Sequence, residues 1–458
     1  MAELPELDEQ VLVDWMVAQR WFGAKASNVS HLAVLGAVPL REGEPPLLAV
    51  ALLEARFPAG THEVYQVLLG ARPNDEGWSE GVIGEAGDWT LYDALVDPQA
   101  TSLLGHLLAD GAELSGGAGA VRFHTVNSPS LGGNVRAMGA EQSNSSIVFD
   151  ERSVLKVFRK VEPGPNPELE MLRFLQSHDF RNIARLEGWY DFAGELMEAT
   201  LGVLQIFVAD ARDGWELTLE EITEPRLIDR LRRLGTVTAR MHTTLGSDAS
   251  DSDFVPEDPG DEQLSLLVAT IDEQIEQIFM RLPEGDERVA PIAGRGEEIR
   301  DRLQMLSHVG VGGKLIRHHG DYHLGQTLLS REGDWVILDF EGEPARPLIE
   351  RRRKRSPLRD VAGMLRSFAY AASASELQRG TPAPEGWEAR AREAFLGAYY
   401  DAVEPALLPA SEAGTEKLLQ IFELEKAVYE LRYELNNRPD WVGIPVRGIH
   451  RLLEEPLG

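Results

Sequence analysis

Apolar positions follow two different rhythms along the chain. Residues 47–53 and 64–69 are β-favouring runs that predict strands, after an amphipathic segment at 11–17, and together they read as a small α+β unit. Residues 111–120 (GAELSGGAGA) are rich in Gly and Ala and predict a loop. Strands at 146–149 and 154–158 flank a tight polar turn. A helix is predicted to follow, with Asn166 as N-cap, Pro167 as its first residue and Glu168 in its first turn. An apolar strand at 201–208 closes this β-rich middle part. Beyond it the spacing becomes helical, at 358–370, with Leu358, Val361, Ala362, Leu365 and Phe368 on one face, and at 416–436. Residues 247–262 carry seven carboxylates and no base, which predicts a mobile acidic loop. No fixed-period repeat is visible, so a solenoid or propeller is not expected.

Length and composition narrow the class. At roughly 150 residues per domain, 458 residues suggest two or three packed units. The absence of cysteine removes disulfides, thiolate metal sites and cysteine nucleophiles, and it suits a reducing, cytoplasmic setting. The first residues are acidic rather than basic, and no run of 18 apolar residues occurs, so neither an export signal nor a membrane span is expected. A formal charge of −30 argues against nucleic acid as a partner.

The chemistry concentrates in His318-His319-Gly320-Asp321-Tyr322-His323-Leu324-Gly325-Gln326 and in Asp339-Phe340-Glu341-Gly342-Glu343. Phosphoryl transfer needs a carboxylate near the acceptor hydroxyl, a side-chain oxygen that helps to hold a metal ion, and a second carboxylate that clamps the metal against the phosphates. Asp321, Gln326 and Asp339 supply these three. Predicted hairpin strands at 326–329 and 335–339, joined through Glu332-Gly333-Asp334, would bring Gln326 and Asp339 side by side as hard oxygen ligands suited to Mg²⁺. A competing zinc site built from His318, His319 and His323 lacks helical His spacing and any thiolate. Upstream, Lys156 lies mid-strand, where a cation aimed at α- and β-phosphates is expected, and Glu170 in the next helix is its expected ion-pair partner, with Glu168 as the fallback. Residues 139–146, including Ser143, Asn144 and Ser145, are the candidate turn over the phosphates. Residues 204–208, with Gln205, Phe207 and Val208, are the candidate adenine-pairing hinge. His242 reads as a buried structural histidine. The run Arg351-Arg352-Arg353-Lys354-Arg355 reads as a solvated loop or as internal ion-pair partners for the many acids.

RHHGDYHLGQ (317–326), DFEGEPARP (339–347) and ERRRKRSPLR (350–359) resemble the maltokinase-like branch of the aminoglycoside-phosphotransferase and eukaryotic-like kinase superfamily. The likeness extends to residues 141–146, to Lys156-Val157-Phe158-Arg159, to 162–170 (EPGPNPELE) and to 19–25 (QRWFGAK), and so covers most of the chain. The resemblance implies an α+β, bilobal eukaryotic-like kinase fold with an extra N-terminal α/β cap domain. The expected division is a cap at 1–90, a β-rich N-lobe at 91–208 and a mostly helical C-lobe at 209–458. It further implies ATP and Mg²⁺ as cofactors, Asp321 as catalytic base, Gln326 and Asp339 as metal ligands, Lys156 on the phosphates, a small sugar acceptor, and a monomer or homodimer. Gln326 stands where aminoglycoside kinases carry Asn, which disfavours an antibiotic acceptor.

Within this branch the acceptor is glucosamine, giving glucosamine 6-phosphate, or maltose, giving maltose 1-phosphate. The expected substrate-facing residues are His319, Asp321 and Glu343 with Glu425, Lys426 and Tyr429 of the C-terminal helix. A protonated amino sugar wants carboxylates around its ammonium, so Glu343 and Glu425 tilt the reading toward glucosamine. Intact Lys156, Asp321 and Asp339 speak against a pseudokinase binding module. No activation segment ending in Ala-Pro-Glu follows Asp339, which speaks against a protein kinase.

Overall fold

The computed structural model describes residues 5 and 7–454, apart from 25–27, 128, 130, 132, 139–142, 196, 284, 308–311 and 345. The chain forms two compact units, residues 1–176 with 184–209 and residues 177–183 with 210–458. The first is β-rich and the second helical, the kinase-like α+β arrangement with an N-terminal cap that the sequence predicts. No described helix is long and apolar enough to cross a membrane.

The first unit holds two antiparallel sheets. The cap sheet runs in the order His31–Arg41, Leu47–Arg56, His62–Pro73, Trp89–Asp93, Val82–Ala86, with Lys160–Val161 also paired to His62–Pro73. The amphipathic segment is the helix Glu9–Ala18, capped by Asp8, whose carboxylate accepts the Gln10 N–H at 2.9 Å, and it buries Leu12 and Met16. The second, seven-stranded sheet carries Asn144–Phe149, Ser153–Phe158 and Glu198–Ile206 in register, so that Lys156 sits opposite Ser146 and Val203. Gln66 joins the two sheets: its amide nitrogen donates to the carbonyls of Phe158 (2.7 Å) and Leu201, and its amide oxygen accepts the Tyr190 hydroxyl. These bonds satisfy a buried amide that would otherwise be costly.

The expected loop at 111–120 is instead a hairpin, Glu113–Gly116 with Gly119–Thr125. Its glycines permit close approach rather than disorder. A Cβ on Gly116 would lie 3.0 Å from Pro39 Cδ and 3.1 Å from the Ala37 carbonyl, and Gly119 has φ +146°.

The second unit packs helices Asp261–Phe279, Gly296–Ser307, Glu412–Asn437 and Gly443–Glu454 around a shared apolar core. A small sheet joins Arg212–Asp213 with Thr327–Leu329 and Trp335–Ile337, the last two being the strands that lie between Gln326 and Asp339 and beside them. The acidic stretch 247–262 is held rather than loose. Glu257 exchanges backbone bonds with Leu315, and its carboxylate meets Lys354 at 2.8 Å, while Asp253 lies 3.7 Å from Arg352 and Asp258 2.6 Å from Lys314. Part of the basic run is thus an internal partner for these acids.

Candidate active site

In the first unit, Asn166 caps the helix Pro167–Ser177 by accepting the Glu168 N–H at 2.8 Å, as its sequence predicts. That cap places Glu168 facing the sheet, almost fully buried, with its Oε2 2.8 Å from Lys156 Nζ. Glu170, the partner expected first, is two residues and about 200° further round the helix, and the fallback partner Glu168 makes the 2.8 Å ion pair. The Gln205 amide donates to Glu168 Oε1 at 3.0 Å, and Gln205 therefore orients the ion pair through its side chain while its backbone lies in the sheet.

The hinge and turn residues separate. The Phe207 N–H bonds the Arg152 carbonyl at 2.7 Å, and its own carbonyl accepts from Ala209, whereas the Val208 main chain makes no backbone bond among the described residues. Residues 139–142 of the expected phosphate turn lie outside the described residues. Of the others, Ser143 is in the bend, but Asn144 and Ser145 belong to the strand Asn144–Phe149, and the Ser145 hydroxyl accepts from Arg159 Nε at 2.8 Å.

In the second unit the catalytic loop is built around a residue that sequence reasoning passed over. Asp360, near the start of the helix Leu358–Arg379, is 2 % exposed. Its Oδ2 accepts the His319 N–H at 2.7 Å and its Oδ1 accepts the Gly320 N–H at 2.9 Å, fixing the backbone just before Asp321. His242 Nε2 lies 3.1 Å from Asp360, and His242 Nδ1 bonds the Tyr399 hydroxyl, which is the structural role read for His242. Burial alone would push the Asp360 carboxyl up, but His318, His242 and His319 hold it well below the usual carboxylate range. The only sequence signal was an acid in the first turn of an apolar helix, which is commonly read as a helix-start preference.

His319, expected to touch substrate, is 1 % exposed and belongs to the scaffold. Its Nε2–H donates to the Leu338 carbonyl at 2.8 Å, and Nδ1 receives the Asp321 N–H at 3.4 Å. With both ring nitrogens engaged, the three-histidine zinc reading fails. His318 is buried and burial pushes its pKa down to about 3, so it stays neutral in the folded chain. Since an unfolded histidine protonates near 6.5, the unfolded state binds the extra proton as pH falls below that value. Unfolding temperature is therefore expected to hold steady from pH 8 to 7 and to drop from about pH 6.5 toward 4.5, less steeply in His318→Asn. A flat profile in the wild type would contradict this assignment.

The hairpin pairs Thr327 with Ile337 and Leu329 with Trp335, and Trp335 is locked by its Nε1–H on the Arg230 carbonyl at 2.8 Å. Gln326 ends a short 3₁₀ turn just before the ladder and Asp339 stands just after it, so both occupy its open end. Gln326 Nε2 lies 2.9 Å from Asp339 Oδ2. Asp339 has φ +61°, a strained conformation for a residue with a side chain and one that concentrates at functional sites. Here the Gln326 amide N–H donates to the Asp339 carboxylate, and turning that amide over would set its oxygen beside the carboxylate as a pair suited to a hard cation such as Mg²⁺.

Asp321 opens onto a pocket of about 550 Å³, part of it open to solvent, shared with Glu343, Phe422, Glu425, Lys426 and Tyr429. Lys426 Nζ is 3.7 Å from Asp321 Oδ1. The structure thus brings together every expected substrate residue except His319, and it adds two arginines. Arg346 Nε lies 2.6 Å from Glu343 and Arg359 Nη2 lies 2.8 Å from Glu425. Burial favours the neutral acid at Glu343, but Arg346 outweighs it and lowers the pKa. Tyr429 is pushed up to about 12 by burial and by the nearby Glu343 carboxylate.

Comparison with known proteins agrees with this geometry. Residues 15–97 match the maltokinase N-terminal cap domain family. A glucosamine kinase of Streptacidiphilus jiangxiensis is 27% identical over 338 residues, spanning 70% of this chain and 74% of that one. A glucosamine kinase of Mycolicibacterium smegmatis is 24% identical over 334 residues, 70% of this chain and 80% of its own. A solved glucosamine kinase in complex with glucosamine, ADP and inorganic phosphate superposes with a TM-score of 0.70 at 20% identity, covering 98% of this chain and 100% of that chain. The resemblance to the maltokinase-like branch is thereby borne out: the chain carries a maltokinase-type N-terminal cap, has glucosamine kinases among its sequence relatives, and shares their fold.

Proposed function

We propose that this protein is an ATP-dependent sugar kinase of the cytoplasm that transfers the γ-phosphoryl group directly to a hydroxyl of a small sugar, with glucosamine as acceptor and glucosamine 6-phosphate as product. The observation that carries this reading is Asp321, facing a polar pocket lined by Glu343, Glu425, Lys426 and Tyr429 from a loop anchored by Asp360. Asp321 orients the acceptor hydroxyl and takes its proton. Lys156, steadied by Glu168, holds nucleotide phosphates, and Val208 offers backbone groups to the base. Gln326 and Asp339 are the residues that would hold Mg²⁺, which when bound neutralises charge on the transferring phosphoryl group.

The pocket's charge pairing favours a second reading, a neutral disaccharide such as maltose. Both carboxylates that would meet an ammonium are already held by Arg346 and Arg359, and Lys426 adds a positive charge beside the base. The two readings separate by kcat/KM from ADP release, with glucosamine and maltose offered at equal concentration. Preference for glucosamine is expected on the first reading and preference for maltose on the second. ADP release with neither sugar would overturn both.

A further inference from the structure

A second cavity of about 700 Å³, part of it open to solvent, adjoins the sugar pocket within the helical unit and shares Arg359 and Phe422 with it. Its walls are chiefly apolar, with Leu264, Leu267, Leu315, Leu418 and Ile421 beside Phe422. Such walls give sugar hydroxyls few partners. The polar side chains of its lining are Gln263, Ser356, Arg355 and Arg359, and the Arg355 main chain is clamped by reciprocal bonds with Ile316, both 2.9 Å.

Charge bookkeeping around Arg355 is one-sided. Its neighbours have counter-ions: Arg346 has Glu343, Arg351 has Glu341, Arg352 has Asp253, Lys354 has Glu257 and Arg359 has Glu425. The half-buried Arg355 guanidinium makes no hydrogen bond or ion pair among the described residues, and Glu425, the acid that acts on it electrostatically, is already taken by Arg359. Burial and the flanking arginines Arg359, Arg346 and Arg353 all press its pKa downward. A fork of donors at the wall of an apolar cavity matches a carboxylate on a hydrocarbon body.

We propose that this cavity is a binding site for a small amphipathic carboxylate, with Arg355 gripping the anionic head and the leucine-rich walls taking the apolar body. The site is distinct from the sugar pocket and does not depend on the reading of its reaction.

Hexanoate binding to the full chain, followed by titration calorimetry or saturation-transfer NMR with 1-hexanol as the neutral control, tests this directly. Saturable binding of one hexanoate per chain is expected, weakened about tenfold or more in Arg355→Gln because a charge-assisted pair is lost. Hexanol is expected to bind more weakly and to be indifferent to that substitution. Two further variants separate site from fold: Leu267→Trp, which fills the cavity from the helix Asp261–Phe279, should abolish binding, and Arg353→Gln, on an exposed neighbour, should leave it unchanged. Absence of saturable hexanoate binding to the wild type, or equal binding to Arg355→Gln, would overturn the proposal. Phosphoryl transfer enters none of these readouts, so their failure leaves the proposed activity standing.

Discussion

Replacing Asp321 with alanine is expected to lower turnover by about 10²–10⁴-fold while the fold and the nucleotide affinity survive. The side chain is only partly buried, and its carboxylate has ionic neighbours at 3.7 Å (Lys426) and 4.0 Å (His323) rather than close structural bonds. Its removal therefore leaves no orphaned donor in the core. What disappears is the group that orients the acceptor hydroxyl and accepts its proton as the O–P bond forms. Asp321→Asn preserves the size but not the basicity, so it should lose nearly as much. Turnover, nucleotide titration and a melting curve on the same preparation check the three parts together. Activity within tenfold of wild type would remove Asp321 from the role.

The second large effect is expected at Asp360, which touches no substrate atom in this account and acts through the loop. Asp360→Ala removes a buried anion that satisfies two backbone N–H groups and His242 at once. Breaking a buried pair of this kind costs about 3–5 kcal/mol, on the order of 10 °C in melting temperature for a domain of this size. Asp360→Asn is the more informative variant. It keeps the shape but opposes an amide N–H with an NH₂ donor, which should displace His319 and Gly320 and with them Asp321. A fall of at least tenfold in kcat with unchanged nucleotide affinity is expected. A variant that is merely less stable, with wild-type kcat for its folded fraction, would make Asp360 a packing residue only.

The parts of this site that were legible in the sequence are those fixed by short-range rules. The hairpin that sets Gln326 beside Asp339 follows from strand alternation around Glu332-Gly333-Asp334, and the capped helix after Lys156 follows from Asn166-Pro167. Which acid meets Lys156 depends on helix phase, which residue spacing alone leaves open, and it is the fallback partner Glu168 that lies 2.8 Å from Lys156 Nζ. Long-range pairings carry no such signature. Asp360 lies 41 residues from His319 and Glu425 lies 66 from Arg359, and nothing local marks either contact. The same gap made His319 look exposed to substrate and made Glu425 look like a free carboxylate, whereas the partner of Glu343, Arg346, lies only three residues on. At 111–120 the glycines serve tight strand packing, a use that composition alone does not distinguish from a loop.

The central claim is direct transfer of a phosphoryl group to sugar with Asp321 as the base. Phosphorus NMR of a reaction containing Mg²⁺, ATP and glucosamine or maltose, run with wild type and with Asp321→Ala, reads that transfer itself. The account predicts a sugar phosphate monoester resonance growing in step with ADP in the wild type and no such resonance in the variant. Inorganic phosphate as the only product, or the same monoester formed equally by Asp321→Ala, would contradict it.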